Sequence, residues 1–286
     1  AHTRSTLATL MVGAPATGTY ERVRSTPRQP ADIPPRIRLD QVSLGRLVDC
    51  TLDVHAGEIL GVAGVDGNGQ AELESVLVGL DQPESGRVTG LSHDPRQPRA
   101  RVDAGVAYIP SDRYQRALAG ELTITDNLEL GRGPRWRHRR EQRERHADGT
   151  LGPWDVRGGG PRTRVSALSG GNAQKVVLAR EIDGRGRDRR ERGARPDVVI
   201  AAYPVRGLDP GASETITHRI VEASEAGAAV VWFGAELDEL LAVCDRLVVL
   251  VAGRPVRLFD PPFDRDAIAV AMGGAAHEPA RAVGTA

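Results

Sequence analysis

The sequence predicts an α/β domain built on a mostly parallel sheet, and three observations support this. Four stretches, EILGVAGV (58–65), VVIAAY (198–203), AAVVWFG (228–234) and RLVVLVAG (246–253), are short and almost continuously apolar, as strands covered on both faces require. Helical patterns lie between them, and alternation of strand and helix marks α/β architecture. The length, 286 residues with 40% apolar and 27% charged content, suits one large core with short extensions.

Two short segments, TLATLMVG (6–13) and AIAVAMGG (267–274), resemble each other. Either the chain retains an internal duplication, with residues 1–13 the tail of a preceding similar domain, or two Ala-rich stretches match by chance. Residues 14–35, rich in Pro, Thr and Arg, read as a linker. The main domain is expected over 36–275, followed by a disordered tail at 276–286. It opens with IRLDQVSL (37–44) and CTLDVHAG (50–57), where apolar and polar residues alternate as in half-buried strands.

Charge excludes rather than selects. Lys and Arg number 38, as do Asp and Glu, so no global field points to nucleic acid, an acidic substrate or a membrane surface. The two cysteines, Cys50 and Cys244, have no metal-ligand spacing and are too few to staple a secreted fold, which favours a reducing compartment. No stretch reaches the roughly 18 apolar residues of a membrane span, and the first residues lack the order of a signal peptide. The expectation is a cytoplasmic chain whose membrane contacts pass through another subunit.

The first chemical motif follows the run at 58–65. Gly64-Val65-Asp66-Gly67-Asn68-Gly69 leads directly into the helical QAELESVLVGL (70–80), the strand, glycine loop and helix of a phosphate-binding loop. Glycines let successive N–H groups point at a phosphate, and the helix N-terminus adds partial positive charge. A working loop continues with Lys and then Ser or Thr. Here those positions hold Gln70 and Ala71, which supply neither a charge for the β and γ phosphates nor a hydroxyl for Mg²⁺. Glu72 adds a carboxylate in the first helical turn, where it meets the dipole in place of a phosphate.

About a hundred residues on, Leu168-Ser169-Gly170-Gly171-Asn172 opens the helical AQKVVLAREI (173–182). Ser169 is placed to cap that helix, and its hydroxyl, the glycine N–H groups and the helix dipole make an outward-facing anion site. An apolar strand, Gly207-Leu208-Asp209, another apolar strand and Asp245-Arg246-Leu247 follow. With these pieces in this order, residues 36–275 resemble the ABC ATPase family, a P-loop NTPase fold with an antiparallel β subdomain and a helical subdomain. The similarity is closest to the second ATPase half of double-length importers for simple sugars and nucleosides. It lies in GVDGNGQ (64–70), IPSDR (109–113), TDNLEL (125–130), LSGGNAQKVVLAR (168–180) and IAAYPVRGLDPGA (200–212).

Alignment on Pro204 and Gly207-Leu208-Asp209 shows what this chain lacks relative to the family. The Mg²⁺-supporting Asp falls on Ala202, the catalytic Glu on Tyr203, the switch histidine on Ala235 and the Q-loop glutamine near Ser111; no aromatic follows Ser43 to stack on adenine. Without a cation, a metal-holding carboxylate and a water-orienting carboxylate, hydrolysis at this site is expected to be very slow, and no residue of the chain is assigned a catalytic role.

In the family, cassettes pair head to tail, so a phosphate loop and a signature serve different sites. The resemblance therefore implies a degenerate cassette that lends Leu168 to Asn172, with Asp209 in the D-loop, to an active partner cassette. ATP and Mg²⁺ would bind at that composite site, and permease subunits would hold the pair at the inner face of the membrane.

The stretch 113–165 matches less well. RGPRWRHRREQRERH (132–146) and TLGPWDVRGGGPRTR (150–164) are polar and short of apolar residues at helical spacing, and a second Arg run spans 184–195. They read as solvated loops and a reduced helical subdomain, with no aromatic platform for nucleic acid. Two other readings stay open: a remnant or scaffold, and a soluble ABC protein outside transport.

Overall fold

The computed structural model describes residues 34–91, 100, 104–131, 140–183 and 195–274. The segments expected to be a preceding tail (1–13) and a C-terminal tail (276–286), most of the linker (14–35), and the Arg-rich stretches 132–139 and 184–194 lie outside the described residues.

The chain opens with strands β1 (Ile37–Leu44) and β2 (Leu47–Val54), which pair antiparallel with each other. Strand β4 (Ser85–Thr89) joins the free edge of β1, giving a three-stranded antiparallel sheet of order β2-β1-β4. Strands β3 (Ile59–Ala63), β5 (Val106–Ile109), β6 (Val198–Ala202), β7 (Ala229–Phe233), β8 (Arg246–Val251) and β9 (Arg254–Phe259) form a second sheet of order β5-β6-β7-β3-β8-β9. All its neighbours are parallel except β9, which returns antiparallel along β8.

The apolar runs of the sequence are thus the central strands. Strands β3, β6 and β7 are buried at every position, because side chains alternate between two covered faces. One face contributes Ile59, Val199, Val230, Trp232 and Val249 to a core shared with helices α5 (Gly170–Ile182) and α6 (Pro210–Glu225). The opposite face contributes Leu60, Val62, Ile200, Phe233 and Leu250 to a core shared with helix α1 (Gln70–Val78) and the antiparallel sheet. Helices α7 (Leu237–Val243) and α8 (Arg265–Met272) complete the C-terminal part. Both cysteines are buried and neither forms a disulfide among the described residues; burial pushes the Cys50 thiol up to about 12.

Between the two halves lie α2 (Arg113–Arg116), α3 (Ile124–Glu129), α4 (Arg140–Leu151) and a 3-10 turn at Val165–Ala167. Helix α4 departs from the sequence reading, which took 132–146 as a solvated loop. It has only Ala147 and Leu151 buried, but the fully buried Trp154 follows it into the core shared with Ile124, Leu128 and Val165. Its solvent side is held by charge pairs instead of apolar spacing. Glu144 accepts from Arg140 at 2.8 Å and from both ends of the Arg162 fork at 2.9 Å, and those guanidinium groups hold its carboxyl down at about 2. Among the described residues, no helix is long and apolar enough to cross a membrane.

Candidate functional site

The glycine loop leaves the C-terminal end of β3, at the centre of the large sheet, and turns into α1. Gly67 and Gly69 stand at φ +88° and +95°, a region open to glycine at little cost. The helix starts from Gly69 with no side-chain cap. The place of a capping anion is taken by the side chain of Gln70, which is 5% exposed. Its Oε1 accepts from the Asn68 N–H at 2.9 Å, and its Nε2 donates to the Val65 carbonyl at 3.1 Å. Asn68 closes the loop further: its Nδ2 donates to the same carbonyl at 2.8 Å, and its Oδ1 accepts from the Ala252 N–H at 2.7 Å. From outside, Arg46 Nη1 donates to the Gly67 carbonyl at 3.2 Å. Asp66 and Ala71 are exposed, and Glu72 lies in the first turn of α1.

Around the loop stand the positions where the family resemblance would put carboxylates. Ala202 is buried at the end of β6. Tyr203 follows at φ +49°, with its N–H donating to the Phe233 carbonyl at 2.8 Å. Burial and then the negative charges of Asp66 and Glu74 push the Tyr203 hydroxyl up to about 12, so it stays protonated and serves as neither base nor metal ligand at neutral pH. Ala235 and Ser111 are exposed. Sequence reasoning missed one acid here: Glu74, buried one turn along α1 from Gln70. It accepts from the Tyr108 hydroxyl and pairs with Arg116 at 3.8 Å, and burial raises its pKa. Its position four residues beyond Gln70, on the same helical face, was the available signal. This set fits a nucleotide with Mg²⁺ poorly, since Gln70 already takes the Asn68 N–H, the loop has no lysine, and no carboxylate stands at 202 or 203.

The signature is built differently. Ser169 caps α5, its Oγ accepting from Asn172 Nδ2 at 2.9 Å and from the Asn172 N–H at 3.4 Å. Ser169 is exposed, and its own hydroxyl hydrogen reaches no acceptor among the described residues. Asn172 Oδ1 accepts from the Arg157 N–H at 2.7 Å, and Lys175 Nζ donates to the Asp155 carbonyl at 2.9 Å. The Arg157 hydrogen bond and then Lys175 hold the Asp155 carboxyl below its usual range. Asp209 caps α6, accepting from the Ala212 N–H at 3.0 Å.

These groups face a common cleft of about 320 Å³, lined by Asp155, Arg157, Ser169, Asn172, Lys175 and Asp209 among others. Gly171 also lines it, packed so that a Cβ there would lie 3.3 Å from the Cβ of Ala212. Beneath the cleft, the buried Gln174 donates to the Pro204 carbonyl at 3.0 Å and accepts from Arg113 at 3.2 Å, tying the signature helix to two distant turns. Gly170 backs onto Arg113, and Leu168 is buried in the core. The structure thus brings the signature and Asp209 together in one cleft, while Gly64 to Glu72 form a separate, internally bonded turn. The exposed Ser169 hydroxyl could donate to an anion brought by another molecule.

Known proteins resemble this chain in sequence and in fold. The ABC transporter family model matches residues 47–185. The chain is 35% identical to the nucleoside import ATP-binding protein NupA of Lactococcus lactis, over 91% of this chain and 51% of that protein. It is 36% identical to the guanosine import ATP-binding protein NupO of Bacillus subtilis, over 74% of this chain and 41% of that protein, and 35% identical to a ribose import ATP-binding protein RbsA of Rubrobacter xylanophilus, over 87% and 46%. The chain spans about half the length of the curated relatives it matches. In fold it is similar to the ATP-binding cassette MJ0796, solved as a dimer with ADP and Pi, with a TM-score of 0.64 at 21% identity over 80% of this chain and 100% of that one. The fold is that of an ABC-type ATP-binding cassette, and residues 47–185 are similar to the ABC transporter family.

Proposed function

We propose that this domain is the non-hydrolysing cassette of an importer ATPase, lending its signature to a sister cassette that hydrolyses ATP. The observation behind this is the contrast within one domain. The signature cleft is open and presents the Ser169 hydroxyl, whereas the glycine loop bonds to itself through Gln70 and lacks the Lys and both carboxylates. On this reading Leu168 to Asn172 and Asp209 complete an ATP and Mg²⁺ site whose lysine and carboxylates come from the partner, and the domain's own loop is structural. ATP at the shared site would favour the closed pair, and closure would pass to membrane-spanning permease subunits on the cytoplasmic side through differential binding.

Three features support the importer assignment. The relatives named above are import ATP-binding proteins for nucleosides, guanosine and ribose, which makes simple sugars or nucleosides the proposed cargo class. They are about twice the length of this chain, which suits an active cassette encoded in the same polypeptide or immediately upstream. The packed region around Trp154 and α4 supports a retained helical subdomain over a decayed remnant.

The test pairs this chain with the upstream cassette and measures ATP hydrolysis before and after Ser169→Trp. A fall of about 100-fold, the scale of losing an anion-stabilising donor, is expected. Unchanged hydrolysis would remove the role assigned to the signature, and an upstream sequence with no Lys-containing cassette would remove the importer reading.

A further inference from the structure

We propose that Gln70 is an internal ligand of the glycine loop and shuts it to polyphosphate, so that the loop excludes nucleotide by being occupied as well as by lacking a charge. The inference rests on reading the loop as a former phosphate cradle, but not on any role of the signature. Three contacts carry it. Gln70 Oε1 accepts from the Asn68 N–H at 2.9 Å, a loop donor of the kind that would otherwise point at a phosphate oxygen. Gln70 Nε2 simultaneously donates to the Val65 carbonyl at 3.1 Å, so the amide spans the loop from one side to the other. The side chain is 5% exposed and is locked at both ends.

The chemistry of the side chain decides the outcome. A phosphate oxygen only accepts hydrogen bonds here, so it competes directly with Gln70 Oε1 for the Asn68 N–H. A lysine only donates and would leave that N–H free for phosphate. Glutamine both accepts and donates, and so satisfies the Asn68 N–H and the Val65 carbonyl without a ligand. The remaining fixings preserve the closed shape: Asn68 bridges the Val65 carbonyl and the Ala252 N–H, and Arg46 sits on the Gly67 carbonyl. At the Asn68 N–H an incoming anion gains little, because its hydrogen bond there replaces one already made.

The occupied loop and a loop that merely lacks a cation predict opposite results for Gln70→Ala. Inorganic tripolyphosphate and ATP would be titrated calorimetrically into the isolated full chain, its Gln70→Ala variant and its Gln70→Glu variant. In parallel, hydrogen exchange of the Asn68 amide would be followed. Gln70→Ala is expected to bind tripolyphosphate about fivefold tighter than the native chain, the worth of one released hydrogen bond. Gln70→Glu keeps the acceptor and gains nothing. The Asn68 amide should exchange slowly in the native chain and in Gln70→Glu, and faster in Gln70→Ala. Equal tripolyphosphate binding by Gln70→Ala and the native chain overturns the proposal. So does an Asn68 amide that already exchanges freely in the native chain, a measurement that needs no variant to fold. The partner cassette is absent throughout, so failure here leaves the signature proposal standing, and failure of that proposal leaves this one.

Discussion

The glycine loop and the signature are made of the same parts, a glycine-containing turn feeding the N-terminus of a helix, and they use them in opposite ways. At the loop, the first helical side chain folds back, and Gln70 takes up the Asn68 N–H and the Val65 carbonyl. At the signature, the capping side chain precedes the helix: Ser169 accepts from Asn172 and remains exposed. The neighbourhoods diverge in the same sense. Tyr203, Glu74 and Tyr108 crowd the loop side with partnered groups, while Arg157, Lys175 and Asp209 rim an open cleft on the signature side. A phosphate-binding turn is therefore defined less by its glycines than by what its flanking side chains leave free.

The comparison can be broken most sharply through the packing that holds the signature side. Trp154 is fully buried, donates to Asp183 and lies under Arg219 at 5.3 Å. Trp154→Ala is expected to cost about 3–5 kcal/mol of unfolding free energy, read by denaturant titration, and a loss under about 1 kcal/mol would mean that α4 and its surroundings are only loosely attached. The next effect in size is the roughly 100-fold loss of paired ATP hydrolysis on Ser169→Trp, about 2.7 kcal/mol in the same units.

A third effect is set by pH. Glu239 is buried, accepts from Trp232 Nε1 at 2.7 Å, and burial raises it from 4.5 to about 7. The folded chain holds this proton more tightly than the unfolded one. Its contribution is therefore fully present below pH 4.5 and is lost as pH rises towards 7, on the order of 3 kcal/mol over that window. Glu239→Gln should flatten that part of the stability profile, followed by Trp fluorescence during unfolding; an unaltered profile would show that Glu239 titrates normally.

Two smaller effects sharpen the contrast. Asp209→Ala removes the cap of α6 and should lower stability by about 1 kcal/mol, as judged by thermal melting, while also altering the rim of the cleft. Gln70→Lys alone should change the ATP hydrolysis of the pair by less than about twofold, because Ala202 and Tyr203 still supply no carboxylate for metal or water. A large gain from that one substitution would mean that the loop had lost only its charge.

Much of the fold was legible because burial on both faces writes itself as continuous apolar sequence. The runs at 58–65, 198–203, 228–234 and 246–253 became β3, β6, β7 and β8. The signature turn was legible too, since Ser before two glycines and a helical pattern is a local signal. Helix α4 was not, because its inward face amounts to Ala147 and Leu151 and its outward face is held by Arg pairs to Glu144 that no spacing rule isolates. The closure of the glycine loop was half legible. The absence of lysine is visible in one letter, but the double use of the Gln70 amide depends on a backbone turn that places Val65 and Asn68 on either side of it. Links between distant segments, such as Arg113 to Gln174 to Pro204, leave no mark in the sequence at all.

The strand order of the large sheet has a bearing on how the domain is made. Strand β3 comes early in the chain, yet both its neighbours, β7 and β8, come near the end. On a ribosome the segment that carries the glycine loop must wait, both edges unpaired, until almost the whole domain has emerged, and pairings so distant in sequence are slow to form. The family match ends at 185, before β6, β7 and β8 begin. A fragment cut there would keep the signature yet leave β3 without either parallel neighbour, and its expected fate is aggregation through those bare edges.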